Sequence, residues 1–138
     1  MSSFDKNLYR FIVESALGSI IATDSSGHII LANSQAERLF GYTRNELIGR
    51  PIEALVPQDL RDRHKKERSH YQQKPRVRGM GEGRNLFALH RDGREIPVAI
   101  SLSPMKTAKG LVVVAIIHDL SDWKAVTGTN RPLTSVDL

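Results

Sequence analysis

Apolar residues recur at helical spacing at the start of the chain and at strand-like spacing soon afterwards. Over residues 5–17 they fall on one side of a helix, which predicts an amphipathic helix ending at Gly18. Two short apolar runs follow, at 19–23 and 28–32, joined by small polar residues that suit a tight turn. The beginning of the chain therefore predicts a helix followed by a β-hairpin.

Several short helices are predicted in the middle of the chain. Ser34 can cap the first, and Thr43 with Glu46 three positions later has the capping-box pattern that opens a second. A brief turn is predicted before Pro57. The longest helical candidate covers residues 58–73, where Lys-Pro ends it.

Three strands are predicted after this helix, at 84–90, 95–104 and 110–119. The middle strand alternates apolar residues with small or polar ones, as a sheet with one covered face requires. The last strand is apolar almost throughout and belongs at the centre. The order of elements predicts an α+β fold with one five-stranded antiparallel sheet and the helices gathered over one face.

Composition narrows the possible functions. The chain has 138 residues, 40% of them hydrophobic and 25% charged, which is enough for one core but hardly two. It has no cysteine, which excludes disulfides, thiolate zinc sites, thiol nucleophiles and cysteinyl–flavin adducts. It has no apolar run of about 20 residues and no signal-peptide pattern, so we expect a cytoplasmic protein with no membrane partner. A nucleophile elbow, a phosphate loop and a kinase signature are also missing, and we expect no enzymatic activity.

The net charge of +5 is concentrated in one segment. Arg61–Arg84 holds nine Lys and Arg residues against three acids, whereas the remainder holds eleven against twelve. A basic stripe can attract nucleic acid, but this one has a single aromatic residue, Tyr71, and no helix-turn-helix or zinc pattern. We interpret it as a solvated helix face and expect no nucleic acid partner.

The motifs of the chain resemble those of the PAS sensory domain over about residues 8–123. The motifs that carry the resemblance are Ile21-Ala22-Thr23-Asp24, Asn33-Ser34 with Leu39-Phe40-Gly41-Tyr42, Glu46-Leu47-Ile48-Gly49-Arg50-Pro51, Arg91-Asp92-Gly93-Arg94 and His118-Asp119-Leu120-Ser121-Asp122. Each is weak alone, but their order and spacing agree with the family. The resemblance implies a flanking helix over residues 1–17, a PAS domain over 18–123 and a linker remnant or loose tail over 124–138.

The resemblance also implies roles for individual residues. Asn33 ties the second strand to the following helix, and Glu46 resembles an acid that pairs with a basic residue near Arg50. Asp119, with Ser121 and Asp122, stands at the family's exit motif, which connects the last strand to a signalling helix. Asp119 is therefore the predicted coupling residue.

A PAS fold implies a cavity between the inner face of the sheet and the short helices. The predicted lining from the helical segment is Leu47, Ile48, Leu55, Val56 and Leu60, and from the strands Leu86, Ile100, Leu102, Val114 and Ile116. Such a set can form a filled core. An apolar cavity with one or two polar groups also suits a small ligand or cofactor.

His64 is the candidate polar group of this cavity. Leu60, His64, Glu67 and Tyr71 are spaced by four, three and four residues, so they share one face of the long helix. If Leu60 and Tyr71 face the core, His64 does too. An inward imidazole is a candidate axial ligand for heme iron, and the alternative is a hydrogen-bonded core or rim residue.

The heme-bearing PAS domains of nitrogen-fixation oxygen-sensor kinases sharpen this comparison. These domains have an iron-binding His on this helix and, twenty residues later, an Arg that donates a hydrogen bond to the iron-bound oxygen. His64 and Arg84 of this chain resemble that pair in type and have the same separation. The chain departs from them at Glu67 and His70, where they have Tyr and Arg, and at Gly79, where they have a large aliphatic residue.

Three functions follow as hypotheses. The first is a non-catalytic PAS sensory module that forms a homodimer through its N-terminal helix and sheet face and relays pocket occupancy to an output domain, such as a histidine kinase or a cyclase. The second is a heme b sensor of gas or redox state, using His64 and Arg84; a non-covalent flavin ranks below heme, and a domain with no cofactor is also consistent. The third is a binder of nucleic acid through the basic surface.

Overall fold

The computed structural model describes residues 3–15, 18–76, 78–79 and 86–121. The α-helices of this part are α1 (Ser3–Ser15), α2 (Ser34–Phe40), α3 (Arg44–Leu47) and α4 (Arg61–Gln73), and two 3₁₀ turns, Ile52–Leu55 and Gln58–Leu60, precede α4. The strands are β1 (Ser19–Thr23), β2 (Ile29–Ala32), β3 (Arg78–Gly79), β4 (Leu86–Leu89), β5 (Glu95–Thr107) and β6 (Gly110–Asp119). None of the helices described here is long and apolar enough to span a membrane.

The strands form one antiparallel sheet in the order β2-β1-β6-β5, with β3 and β4 both pairing with the outer edge of β5. Because β3 and β4 pair with β5 at different levels, the sheet has five strand positions. The predicted α+β fold with a five-stranded antiparallel sheet is confirmed, and β6 lies at its centre, between β1 and β5.

The short helices begin and end where local chemistry requires. The predicted capping box is confirmed, because the Thr43 side chain accepts from the Glu46 backbone N–H while the Glu46 carboxylate accepts from the Thr43 backbone N–H. The prediction that Ser34 caps α2 is wrong by one residue. Asn33 is the N-cap, and its side chain accepts from the Ala36 backbone N–H.

Two boundaries differ from the sequence prediction. The predicted helix over 58–73 is divided into a 3₁₀ turn and α4, since the backbone N–H of Arg61 bonds back to Gln58 at the junction. The predicted strand over 84–90 is observed as β4, and residues 84 and 85 lie outside the described residues. Residues 16–17 and 122–138, including the predicted tail, also lie outside them.

The core lies between the inner face of the sheet and the helices α2 and α3. Its largest fully buried side chains are Phe40, Ile21, Ile29, Leu47 and Val98. In β5 the predicted alternation is observed, because Ile96 and Val98 are buried, whereas Glu95 and Ser101 are exposed. This core holds the sheet under the helical segment and leaves space further along β5 and β6.

Candidate functional site

A cavity of about 220 Å³ lies between α4, the 3₁₀ turns and the inner face of the sheet. A smaller one of about 70 Å³ adjoins it. The side chains that line both are Ile52, His64, Glu67, Leu102 and Ala115. Their walls are therefore continuous, and His64 stands between the two volumes.

The sheet forms the apolar floor of the larger cavity. Ile100 and Leu102 of β5 line it, as the sequence predicts. The prediction that Val114 and Ile116 line it is wrong, because Ala115 and Ile117 do. In the observed register Ile100 faces Ile117 and Leu102 faces Ala115, so the even-numbered residues of this part of β6 lie on the opposite face.

The helical segment forms the opposite wall. Leu55, Val56 and Leu60 line the larger cavity, and so does Leu86 of β4. Two predicted lining residues do not: Leu47 is fully buried in the core, and Ile48 is 39% exposed. His64 and Glu67 line both cavities, while Leu60 and Tyr71 line one each, so the predicted common face of the long helix is the face toward the cavity.

A cluster of three charged or titratable side chains joins the first 3₁₀ turn to α4 beside the cavities. Glu53 Oε2 lies 2.6 Å from His64 Nδ1 and 3.1 Å from Arg68 Nε, and Arg68 Nη2 donates to Glu53 Oε1 over 3.3 Å. The Glu53 side chain is 5% exposed, against 15% for His64 and 23% for Arg68. A buried carboxylate is thus shared between two donors of α4.

The charge state of Glu53 follows from these contacts. Burial raises the pKa of its carboxyl, but hydrogen bonds and charges from Arg68 and His64 outweigh burial and hold the pKa below its usual value of 4.5. Glu53 is therefore a carboxylate at neutral pH. The sequence reasoning missed it, although a single acid within the apolar run Ile52–Val56 was a signal that could have found it.

Glu67 lies beside this cluster on the same face of α4. Its Oε1 lies 3.1 Å from Arg63 Nε, four residues earlier, and its side chain is 32% exposed. The carboxylate that the sequence comparison singled out therefore lines the cavity while meeting a cation of its own helix.

Three cations of the basic segment are bound by the chain itself. Arg61 donates to the Val56 carbonyl, while Arg63 and Arg68 pair with Glu67 and Glu53. Lys65 and Lys66 are exposed. The basic stripe is thus partly a set of internal contacts.

Arg68 also packs on the turn between β1 and β2. Gly27 there has φ +82°, and a Cβ at this position would lie 2.5 Å from Arg68 Cζ. The absence of a side chain lets the guanidinium lie against the backbone while it holds Glu53. The cluster therefore connects α4, the first 3₁₀ turn and the β1–β2 hairpin.

We expect Gly27→Ala to lower the free energy of unfolding by about 2–3 kcal/mol. A positive φ costs an L side chain about 1–2 kcal/mol, and the methyl group would in addition displace Arg68 from Glu53. Gly93→Ala is the matched control, because Gly93 has φ +94° and no heavy atom within 4 Å of the added Cβ. Urea denaturation measures both.

An Arg68→Ala background isolates the contact. There the cost of Gly27→Ala should fall to that of Gly93→Ala. An equal cost of Gly27→Ala with and without Arg68 would contradict the packing of Arg68 on this turn.

The predicted coupling residue lies at the end of β6. Asp119 Oδ1 accepts from the Ser121 backbone N–H over 2.8 Å and from Ser121 Oγ over 2.6 Å. Between them, Leu120 is 5% exposed and its N–H bonds to the Pro97 carbonyl over 2.8 Å. Asp122 lies outside the described residues. The end of β6 is thus attached to β5 by the hydrogen bond from Leu120, and the turn that follows the strand is stabilised by the hydrogen bonds of Asp119.

The predicted structural residues occupy two junctions. The Glu46 carboxylate pairs with Arg91, with Oε2 2.9 Å from Nη1, whereas Arg50 Nε donates to the backbone carbonyl of Glu46. The backbone N–H of Thr43, and then Arg91, lower the pKa of Glu46. Arg50 lies over the Tyr42 ring at 4.5 Å from its centroid.

Asn33 is fully buried and joins three elements. Its Oδ1 accepts from the backbone N–H groups of Ile20 and Ala36, at 2.9 and 3.0 Å. Its Nδ2 donates to the carbonyls of Val13 and Gly18, at 3.0 and 3.1 Å. The resemblance implies a tie between the second strand and α2; the side chain binds β1 and α2 and also holds the last turn of α1.

The cavity offers one atom that suits a heme iron, the Nε2 nitrogen of His64. A metal-binding His commonly donates its other ring N–H to a carboxylate, and Glu53 accepts from His64 Nδ1 in this way, which leaves Nε2 for the metal. The volume of about 220 Å³ is below the roughly 300–1,000 Å³ of cofactor-sized sites, so a macrocycle requires a wider cavity. Arg84 lies outside the described residues. Among those described, no group of three or more His, Asp or Glu side chains could hold a metal ion.

A curved antiparallel sheet with short helices closing an apolar cavity over one face is the architecture of a sensory domain. The PAS fold family matches residues 7–120, and the chain belongs to this family. Sensor functions are represented among its relatives.

Two relatives share nearly the whole of this chain. The oxygen sensor protein DosP of Escherichia coli is 29% identical over 129 residues, which are 94% of this chain and 16% of DosP. The sensor protein FixL of Bradyrhizobium diazoefficiens is 30% identical over 126 residues, 91% of this chain and 25% of FixL. The chain spans a quarter or less of the length of these relatives.

The fold is also that of solved PAS structures. The PAS domain of an HTR-like protein from Haloarcula marismortui has a TM-score of 0.71 and 19% sequence identity, over 84% of this chain and 92% of that one. At this identity the similarity concerns the fold alone.

Proposed function

We propose that this chain is a cytoplasmic, non-catalytic PAS sensory module that relays occupancy of its cavity, or rearrangement of a homodimer, to an output domain such as a histidine kinase or a cyclase. Residues 1–17 serve as its flanking helix and 18–123 as its sensory domain. The observation that carries the proposal is the course of β6. Ala115 and Ile117 line the cavity, and the strand reaches its exit at Asp119 two residues later.

The physical basis of the relay is a shift between two conformations. A ligand shifts such an equilibrium only by its differential affinity for the two states. A ligand that moves Ala115 or Ile117 moves β6, and the hydrogen bonds of Asp119 and Leu120 at its end then favour a different exit path.

The proposed dimer interface combines α1 with the outer face of the sheet. Phe4 and Leu8 of α1 are 73% and 43% exposed. Val114 and Ile116 lie on the outer face of β6, opposite the cavity, and carry apolar side chains. Burying the apolar side of α1 against another surface lowers the free energy, because apolar side chains leave water. A second copy of the chain is the proposed partner.

We expect the wild-type chain to be a dimer in solution and the double variant Phe4→Ser, Leu8→Ser to be a monomer, as measured by light scattering. Deletion of residues 1–17 should have the same effect. Ile48→Ser is the matched control, because Ile48 is 39% exposed but lies outside α1 and the sheet. A dimer that survives the double variant and the deletion would show that α1 does not supply the interface.

Heme binding through His64 is a second candidate function, favoured by the contact between Glu53 and His64 Nδ1. Heme iron, when bound, supplies a site for a diatomic gas or for electron transfer. His64 Nε2 holds the iron in this proposal, and Glu53 fixes the tautomer that leaves this nitrogen without a proton.

Added hemin should produce a strong Soret band that His64→Ala abolishes and Glu53→Gln shifts or weakens. His70→Ala is the control, because His70 lies on the exposed side of the same helix. A band of equal strength in His64→Ala would contradict heme ligation by this residue.

A further inference from the structure

The cavity has a composition that selects the chemistry of its ligand. Aliphatic and aromatic side chains from the sheet, β4 and the 3₁₀ turns form most of its surface. On the α4 side stand His64, Glu67 and Arg63. A ligand that fills this space therefore meets apolar contacts on most sides and polar groups on one.

The size of the cavity suits a ligand of one or two rings. An engineered apolar cavity of about 150 Å³ takes up benzene, whereas drug-sized ligands occupy roughly 300–1,000 Å³. The larger cavity here measures about 220 Å³ and the adjoining one about 70 Å³. A single aromatic ring or a fused pair of rings matches this volume.

The charges along the polar wall disfavour an anionic ligand. Arg63 pairs with Glu67, and Arg68 pairs with Glu53. A carboxylate or phosphate that entered the cavity would have to break one of these pairs or lie near their carboxylates. Since burying an unpaired charge is costly, the cavity favours a neutral compound.

The contact between Glu53 and His64 determines which hydrogen bond the wall can offer. The Glu53 carboxylate accepts from His64 Nδ1. When one nitrogen of a neutral imidazole carries the proton, the other is a hydrogen-bond acceptor, and here that other nitrogen is Nε2. The ligand must then supply a hydrogen-bond donor.

We propose that the cavity binds a small neutral aromatic compound with one O–H or N–H donor, of the phenol or indole class, and that His64 Nε2 accepts its hydrogen bond. This inference rests on the proposed sensory function and names the chemical class that the module senses. His64 determines specificity, and the sheet floor of Ile100, Leu102, Ala115 and Ile117 contributes the apolar contacts.

The test compares indole with indene, which has the same fused-ring shape but no N–H. Calorimetric titration of the full chain should show indole binding about three- to tenfold more tightly than indene, the effect of one hydrogen bond. In His64→Leu the two compounds should bind equally, whereas His70→Leu should keep the preference. Benzoate, an anion of similar size to phenol, should not bind where phenol does.

Several results would overturn the ligand class: no binding of indole or phenol to folded protein, equal affinity for indole and indene in the wild type, or preference for benzoate. A His64-dependent Soret band with hemin that indole cannot prevent would assign the cavity to a macrocycle instead. Amide hydrogen exchange of the same samples separates this inference from the sensory function. Indole that binds through His64 without changing the exchange of the Leu120 and Ser121 amides at the end of β6 would support the ligand class and contradict the relay.

Discussion

Asn33→Ala should lower the free energy of unfolding by about 3 kcal/mol, as measured by urea denaturation. The side chain is fully buried and makes four hydrogen bonds, to backbone groups of α1, β1, α2 and the residue before β1. Its loss removes an N-cap, worth about 1 kcal/mol, and leaves at least one buried backbone group without its partner, which costs about 1–3 kcal/mol more.

Asn45→Ala is the matched control, since Asn45 is an exposed residue of α3 and should change stability by no more than about 0.5 kcal/mol. Asn33→Asp separates the two ends of the amide. It keeps the acceptor for the Ile20 and Ala36 N–H groups but sets an oxygen against the carbonyls of Val13 and Gly18. An Asn33→Ala variant as stable as Asn45→Ala would contradict the junction described here.

Glu53→Gln should lower the free energy of unfolding at pH 7 by about 2 kcal/mol. Removing one partner of a buried ion pair costs roughly 3–5 kcal/mol, but Arg68 and His64 keep some access to water, which reduces the loss. Glu95→Gln is the control, because Glu95 is exposed at the start of β5 and should have little effect.

The effect should depend on pH in a defined direction. The pKa of Glu53 is lower in the folded state than the usual 4.5, so the unfolded chain binds its proton more readily. The carboxylate therefore contributes stability above pH 4.5, and this contribution is lost as the pH falls through the folded-state pKa. The difference between wild type and Glu53→Gln should shrink as the pH falls below 4.5. A difference that grows in acid would show that Glu53 is not the charged partner of Arg68 and His64.

The candidate site was predictable to different degrees. Helical spacing predicted that His64, Glu67 and Tyr71 share one face, because residues three or four positions apart on a helix are neighbours. Leu60 lines the same cavity from the 3₁₀ turn that precedes α4. The floor of the cavity was predicted correctly in β5, where apolar and small residues alternate. In β6 it was wrong, since Val114 and Ile116 are as apolar as their neighbours and the composition of the strand does not reveal its inner face.

The partners of the polar side chains could not be predicted from spacing. Glu53 and His64 are eleven residues apart and lie on different elements, so their contact exists only after the 3₁₀ turn packs against α4. The same holds for Glu46, which Arg91 binds from 45 residues away. A sequence shows which side chains are able to pair, whereas the approach of two elements decides which of them do.

The sequence by itself determined the order of the elements, the α+β class, the capping box at Thr43 and the absence of cysteine chemistry, because each depends on residues that are close together in the chain or on composition alone. Only the tertiary structure decided which face of β6 meets the cavity, how large the cavity is and which nitrogen of His64 is engaged by Glu53. These features depend on strand register and on contacts between distant elements, which no local pattern encodes.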